Sequence, residues 1–404
     1  MTERVYLHIG EPKCGTTFLQ HVMWSGRGQL AREGAVLPGL SEHDQFRATQ
    51  DLRDAPQPKD DPAGSWAGEW DTLTRQALGA DRVAVISHEM LAGASQEQAD
   101  RAVRGLQDAE VHVVVTVRDM ASLLPAEWQE TVKHQNGQTW NKWLRLVTER
   151  GKPGRRIDWF WAVHDTVDLL RRWGALLPPS QVHVITVPPP GSPPDLLWER
   201  FASVIGVSPD AIDTSKARPN SSLGLAEVEM LRSLNRRLRG DNALPQWFYA
   251  GHVKETLAHQ ILAARPKTAR LVMPEEYEDW ANEFAEKQIV GLRDAGYDIV
   301  GDLAELRPRP MGDEPRPRPK DVPYKQLYDV SLDALVGLLH ERYETVTARP
   351  SLRSLFSGSA TQFPGAYRIR RIARDLSARH ASVSALRVLV WRVLERTRRW
   401  RGKG

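Results

Sequence analysis

Residues 5–20 read VYLHIGEPKCGTTFLQ. Val5 to Ile9 is a short apolar run with a β-branched residue at each end, the pattern of a buried strand. Gly10 opens a turn, Pro12 fixes φ just before the loop, and Gly15 closes it. Thr16, Thr17, Phe18 and Leu19 begin a helix with hydroxyls in its first turn. Strand, tight loop and helix in that order aim backbone N–H groups and a helix N-terminus at one point, and such a point binds anions.

The same alternation continues along the chain. GAVLPG (34–39), RVAVIS (82–87), VHVVVTV (111–117) and QVHVITV (181–187) read as further strands. Helices are expected over 65–78, 95–108, from after Asp119 to about His134, over 195–205, 222–238 and 275–294. Residues 41–64 are polar and contain proline, so they read as a loop. Strands alternating with helices imply right-handed crossovers and a parallel sheet. Near-continuous Val/Ile runs fit strands covered on both faces. The fold class is therefore α/β, a central parallel sheet with helices on both faces. In such sheets ligands sit at the carboxyl ends of the strands. The loop at 10–17, the pair His88-Glu89 and Arg118 all fall there. His8, inside the first strand, reads as a hydrogen-bonded core histidine. The tryptophans of 138–177 read as core rather than as an aromatic wall for a substrate.

Gly10 and Gly15 keep the glycine spacing of the phosphate loop G-x-x-x-x-G-K-[ST]. Thr16 stands where that motif has its lysine, and Lys13 sits inside the loop instead. A strand–PKxGTT–helix unit resembles the 5′-phosphosulfate loop of the sulfotransferases that use 3′-phosphoadenosine 5′-phosphosulfate (PAPS). The resemblance implies a P-loop-like fold and PAPS as cofactor, with 3′-phosphoadenosine 5′-phosphate (PAP) as its product. It gives Lys13 the bridging oxygen of the leaving phosphate and Thr16 and Thr17 the 5′-phosphate, with Pro12, Cys14 and Gly15 completing the loop. The family holds the 3′-phosphate with an arginine directly after a central strand and a serine eight residues on. Arg118 matches the arginine, and each charge-assisted bond it made there would be worth about 1.5–3 kcal/mol. Ala126 stands at the serine position, and Ser122, at the start of the same helix, is the expected substitute. The competing reading of Arg118 is a salt bridge to Asp119 or Glu127. The family's late loop is matched loosely by ARPNSSLG (217–224), where Arg218, Ser221 and Ser222 would contribute; the competing reading there is a helix cap at Asn220 or Ser222.

The acceptor needs a general base at the sulfur, and the family uses His or Glu. His88 and Glu89 both stand at a suitable strand end, and the residues leave the choice open. Cys14 lies beside Lys13 but reads as a small packing residue. The resemblance implies transfer of a sulfuryl group from PAPS to a hydroxyl, or an amine, of a carbohydrate, lipid or secondary-metabolite acceptor. The mechanism is in-line displacement, and no metal is expected. Two rivals stand beside it. A P-loop small-molecule kinase would need the motif's lysine and an Asp ending a strand to hold Mg²⁺, places taken here by Thr16 and Arg118. A non-catalytic module would bind nucleotide or membrane.

The chain has 404 residues, 41% of them hydrophobic, and a net charge of +4. Residues 366–404 carry 12 Lys/Arg against 2 Asp/Glu, so the other 365 residues carry −6. The basic character belongs to a tail, and a nucleic-acid partner is not expected. Three regions follow: an α/β domain over 1–306, a proline-rich linker over 307–323, and a helical, basic extension over 324–404. In that extension an amphipathic helix is expected over 324–342, and residues 366–404 alternate apolar residues with arginines in an interfacial pattern. With no run of membrane-spanning length, no visible signal peptide and one cysteine, a cytoplasmic location is expected. The tail would add peripheral membrane contact. Nothing in the sequence sets an oligomeric state.

Overall fold

The computed structural model describes residues 2–56, 65–149, 155–216, 222–266, 268–312 and 315–347. By internal packing the chain divides into two units, residues 1–56 with 66–338, and 57–65 with 339–404. Of the second, Ser65 and residues 339–347 are described, the latter helical. Residues 366–404, expected to be an interfacial helix, lie outside the described residues.

The first unit is built on six parallel strands: β1 (Arg4–His8), β2 (Ala35–Val36), β3 (Val83–Ser87), β4 (Glu110–Val117), β5 (Val182–Thr186) and β6 (Asp298–Val300). Their order is β2-β3-β1-β4-β5-β6. All of β3 and β5, and all of β4 except Glu110, are buried, as expected of strands covered on both faces. The two-residue side-chain period of β1 separates the covering layers. Val5 and Leu7 face Trp70, Leu73, Leu169 and Trp173. Tyr6 faces Leu19, Met23, Trp198 and Phe201.

A third cluster gathers helices Met120–Lys133, Trp140–Thr148 and Leu225–Arg237 around Trp128, Trp140, Trp143 and Tyr249. Trp140 and Trp143 stack at 5.7 Å between centroids and are almost fully buried, as is Trp173. These three are core.

Strand order places the site. From β1 the chain moves to one side for β2 and β3, then crosses to the other side for β4, β5 and β6. The reversal falls at β1, where such sheets open a crevice at their carboxyl edge. His8 pairs with Ser87 on one side and Val114 on the other, and β4 continues to Val117 opposite Thr186. The segments following β1, β3 and β4 therefore emerge side by side.

Three differences from the sequence reading have physical causes. Residues 41–64 read as a loop, but Glu42–Leu52 is a helix with Ser41 at its N-cap position. Beside Ala48 and Leu52 its buried residues are polar, Gln45, Arg47, Thr49 and Gln50, so the apolar period is too weak to announce it. Gln45 donates to Pro38 O at 3.0 Å and accepts from Ser87 N at 2.9 Å, and buried Arg47 pairs with Glu69 at 3.2 Å. β6 is three residues long and one of them is exposed, too short for a strand signature. Residues 249–261 form a π-helix, a wide turn with no signature in propensity.

The proline-rich segment carries several anchoring contacts. Arg309 donates to Pro190 O at 2.8 Å, Arg316 pairs with Glu278 at 2.5 Å and Arg318 with Glu276 at 2.8 Å. Helix Tyr324–Thr347 follows, with Val330 and Ala334 buried and Leu332, Leu335 and Val336 exposed. Among the described residues no helix is long and apolar enough to cross a membrane.

Candidate functional site

The loop after β1 has three left-handed residues: Gly10 at φ 41°, Lys13 at φ 65° and Gly15 at φ 84°. A Cβ on Gly10 would lie 2.3 Å from Thr16 Cγ2, and one on Gly15 would lie 2.4 Å from Leu197 Cδ2. Both glycines are thus required by backbone angle; at Gly10 the short, branched Thr16 side chain also leaves no space, whereas at Gly15 only the tip of Leu197 would have to shift. Lys13 accepts the same strained region without being glycine, at a cost of order 1–2 kcal/mol. Gly15 is the N-cap of helix Thr16–Ser25, and no described side chain caps it or places an acid in its first turn. Its first N–H groups and the positive end of its dipole face the crevice. Thr16 is buried, Thr17 is exposed, and Pro12 and Lys13 are half-buried.

Glu11 anchors the loop from behind. Its carboxylate accepts from Thr166 Oγ1 at 2.5 Å and lies 3.6 Å from His164 Nδ1. Glu127 approaches the other imidazole nitrogen at 3.9 Å. Burial opposes a charge on His164, but the carboxylates of Glu11 and Glu127 outweigh it and push the imidazole up to about 9. Cys14 is wholly buried, and burial with Glu11 beside it pushes the thiol up. That makes Cys14 a packing residue and a poor nucleophile. His8, as expected, is a core histidine: Nδ1 lies 2.7 Å from Ser87 Oγ, and burial holds it down at about 4.

Arg118 follows β4 directly and is 29% exposed in its side chain. Its ion pair with Asp119 is long, 4.0 Å, because Asp119 is occupied in capping the next helix, accepting from Ser122 N at 2.8 Å. The guanidinium lies within electrostatic reach of Cys14, hence of the loop. Ser122 is half-buried one turn further on. Ser222 is half-buried, and its neighbour Leu223 donates to Gln129 at 3.1 Å, on the helix that Arg118 precedes. The cap of helix Leu225–Arg237 is Gly224, not Ser222 or Asn220. Arg218 and Ser221 lie outside the described residues.

His88 and Glu89 follow β3. His88 Nδ1 accepts from Met90 N at 3.1 Å. Burial holds its pKa down, against the pull of Glu89. Glu89 accepts from Gln20 Nε2 at 3.2 Å. Burial would raise its pKa, but His88, a backbone N–H, Gln20 and Lys13 outweigh burial and keep the carboxylate ionised.

Sequence reasoning missed the partner of Lys13. Its ammonium meets Glu130 Oε2 at 2.8 Å, and Lys133 and Lys254 converge on the same carboxylate. The spacing of Glu130, Lys133 and His134 on one helix face was a usable signal; Lys254, from a region without a motif, gave none. Beside the loop helix, a cavity of about 270 Å³ is lined by Phe18, Val187, residues 188–194 and Leu197.

No family model matches the chain, and no curated protein is similar to it in sequence. Among solved structures, a sulfotransferase from Alicyclobacillus acidocaldarius is similar, with a TM-score of 0.35 and 18% identity, over 57% of this chain and 91% of that one. At that level the likeness bears on neither activity nor substrate.

The His164 contacts give a pH-dependent stability. A group raised in the folded state stabilises fully below its unfolded pKa and loses that contribution as pH rises through the folded value. For His164 the window runs from 6.5 to about 9 and is worth about 3 kcal/mol. Urea unfolding should show wild-type stability falling across this window, and His164→Gln should flatten the profile there. Parallel profiles would mean that the imidazole is uncharged.

Proposed function

We propose that the chain transfers a sulfuryl group from PAPS to the hydroxyl, or amine, of a small-molecule, glycan or lipid acceptor. One observation carries the reading: a loop-and-helix anion cradle with its lysine inside the loop lies on the same sheet edge as Arg118 and Glu89. The cradle fits a phosphosulfate because described side chains leave the helix N-terminus uncapped and no acid stands in its first turn. PAPS supplies an activated sulfuryl group on a phosphate leaving group.

The residues divide the work. Backbone N–H groups of the loop, with Thr16 and Thr17, bind the 5′-phosphate. Lys13 stabilises the charge that develops on the bridging oxygen. Arg118, kept from a close pair with Asp119, offers its fork to the 3′-phosphate. The cavity at 187–197 takes the purine, with Phe18 and the prolines as apolar walls. Glu89 is the better base of the two candidates. His88 spends its lone pair on Met90 N, whereas Glu89 is an ionised acceptor near Lys13. Its lowered pKa makes it a weak base until the negative phosphosulfate arrives beside it, which raises the pKa toward the useful range.

Three measurements test these roles. Calorimetry should show PAP binding by the wild type. Arg118→Ala should weaken PAP about tenfold or more and leave adenosine 5′-phosphosulfate nearly unchanged, since only PAP carries the 3′-phosphate. Equal losses would make Arg118 structural.

Lys13→Ala should lower kcat for PAPS turnover by about 10²–10³ while PAP affinity changes far less, because its partner charge develops in the transition state. Unchanged turnover would remove Lys13 from the mechanism.

Glu89→Gln should cost about 10²–10⁴ in rate, and His88→Ala much less. The reverse order would make His88 the base.

A further inference from the structure

The ammonium groups of Lys13, Lys133 and Lys254 surround one carboxylate. Lys13 Nζ lies 2.8 Å and Lys133 Nζ 3.6 Å from Glu130 Oε2, and Lys254 Nζ lies 2.9 Å from Oε1. His134 Nε2 lies 3.1 Å from Oε1 and 2.8 Å from Lys254 Nζ. At Glu130 itself three cations share one carboxylate; Lys13 is also near Glu89 and Glu127, so the positive charge that Glu130 alone must balance lies on Lys133 and Lys254. Surface clusters dissipate such charge into water, but the three lysines are only 30%, 10% and 22% exposed, and Glu130 18%. Gathering like charges in a partly desolvated spot is costly unless something further compensates them.

Burial opposes a charge on Lys13, but Glu130, Glu127 and Glu89 outweigh it and push the ammonium up; the crowding shows at Lys133. Burial, reinforced by Lys13 and Lys254, pulls Lys133 down despite Glu130. Burial works to raise Glu130, but His134 and the three lysines overwhelm it and hold the carboxylate far below its usual range. Lys254 comes from the π-helix at Tyr249–Ile261, and π-turns are frequent at functional sites.

We propose that Lys13, Lys133 and Lys254 form a receiving site for an anionic group (carboxylate, sulfate or phosphate) on the acceptor, with Glu130 as its internal counterion. The assignment of the ligand as acceptor rests on the sulfuryl-transfer reading. Under that reading Lys13 touches the oxygen bonded to sulfur, so a group bound between Lys133 and Lys254 lies one ion pair away from the transferred group. An acidic acceptor would displace the Glu130 carboxylate, free Lys13 for the leaving oxygen, and be held with its nucleophile near the sulfur. The site thereby favours acids over neutral alcohols.

The test uses the full-length protein saturated with PAP and titrated calorimetrically with inorganic sulfate against chloride at constant ionic strength. Wild type should bind sulfate. Lys254→Gln should weaken sulfate about tenfold or more, Lys254→Arg should largely retain it, and Glu130→Gln should tighten it by removing the competing carboxylate. PAP affinity should be the same in wild type and both Lys254 variants. No sulfate binding by the PAP-saturated wild type, or unchanged affinity in Lys254→Gln, would overturn the proposal. A parallel loss of PAP affinity would also overturn it, by giving the cluster to a phosphate of the nucleotide. Failure of the wild type to bind PAP would be a separate result: it would remove the sulfuryl-transfer reading and the ligand's identity as acceptor with it.

Discussion

The buried carboxylate of Glu11 is the contact on which the site depends. It lies inside a loop whose other demands are conformational: two glycines and a lysine with positive φ, and a helix starting without a side-chain cap. A loop of that kind is free to rearrange unless something fixes it from behind. Thr166 and His164 do so, from the chain segment that packs under the opposite layer of the sheet. Because Glu127 meets the same imidazole, the loop after β1 and the helix after Arg118 share one buried charged joint. Removing one member would strand a buried charge, which costs far more than the joint gains over an apolar substitute. The arrangement is thus better explained by geometry than by stability: it fixes the distance between the cradle and the helix bearing Glu130.

The parts of this site that were legible in the sequence are those governed by backbone necessity. Gly10 and Gly15 are required by backbone angle, and β3, β4 and β5 are buried on both faces, so each leaves a signature within a few residues. Parallel order then brings the ends of three strands together, which places Arg118, His88 and Glu89 on one edge. What was not legible depends on pairs distant in sequence. The helix Glu42–Leu52 buries Gln45 and Arg47 against partners far along the chain, and a largely polar inward face looks like a loop. Lys254 reaches Glu130 across 124 positions from a π-helix that no local pattern announces. The proposed preference for Glu89 over His88 rests on one capping bond from Met90 N to His88, which spacing alone does not encode.

Electrostatics connects these elements into a sequence of events. Lys13 is held by Glu130 on one side and lies within reach of Glu89 and Glu127 on the others. A lysine so surrounded is firmly charged, and it is also engaged. Its proposed work at a bridging oxygen requires an anion that competes with Glu130, and the loop N–H groups and helix dipole recruit that anion to the adjacent cradle. Under the proposed function, binding at the cradle would weaken the hold of Glu130 on Lys13 and raise the affinity of Glu89 for a proton in the same step.

In the proposed mechanism Lys133 and Lys254 would determine what happens next. If Lys13 turned away with no replacement, Glu130 would still have two ammonium partners, so the carboxylate would not be stranded. If an acidic acceptor arrived, those two partners would be shared with it. In the proposed mechanism the three-lysine cluster would therefore serve as a reserve of positive charge that tolerates a movement of Lys13 in either case. A single Lys13–Glu130 pair could not do this: breaking it would leave Glu130 unpaired in a partly buried place, and the cost would oppose nucleotide binding directly.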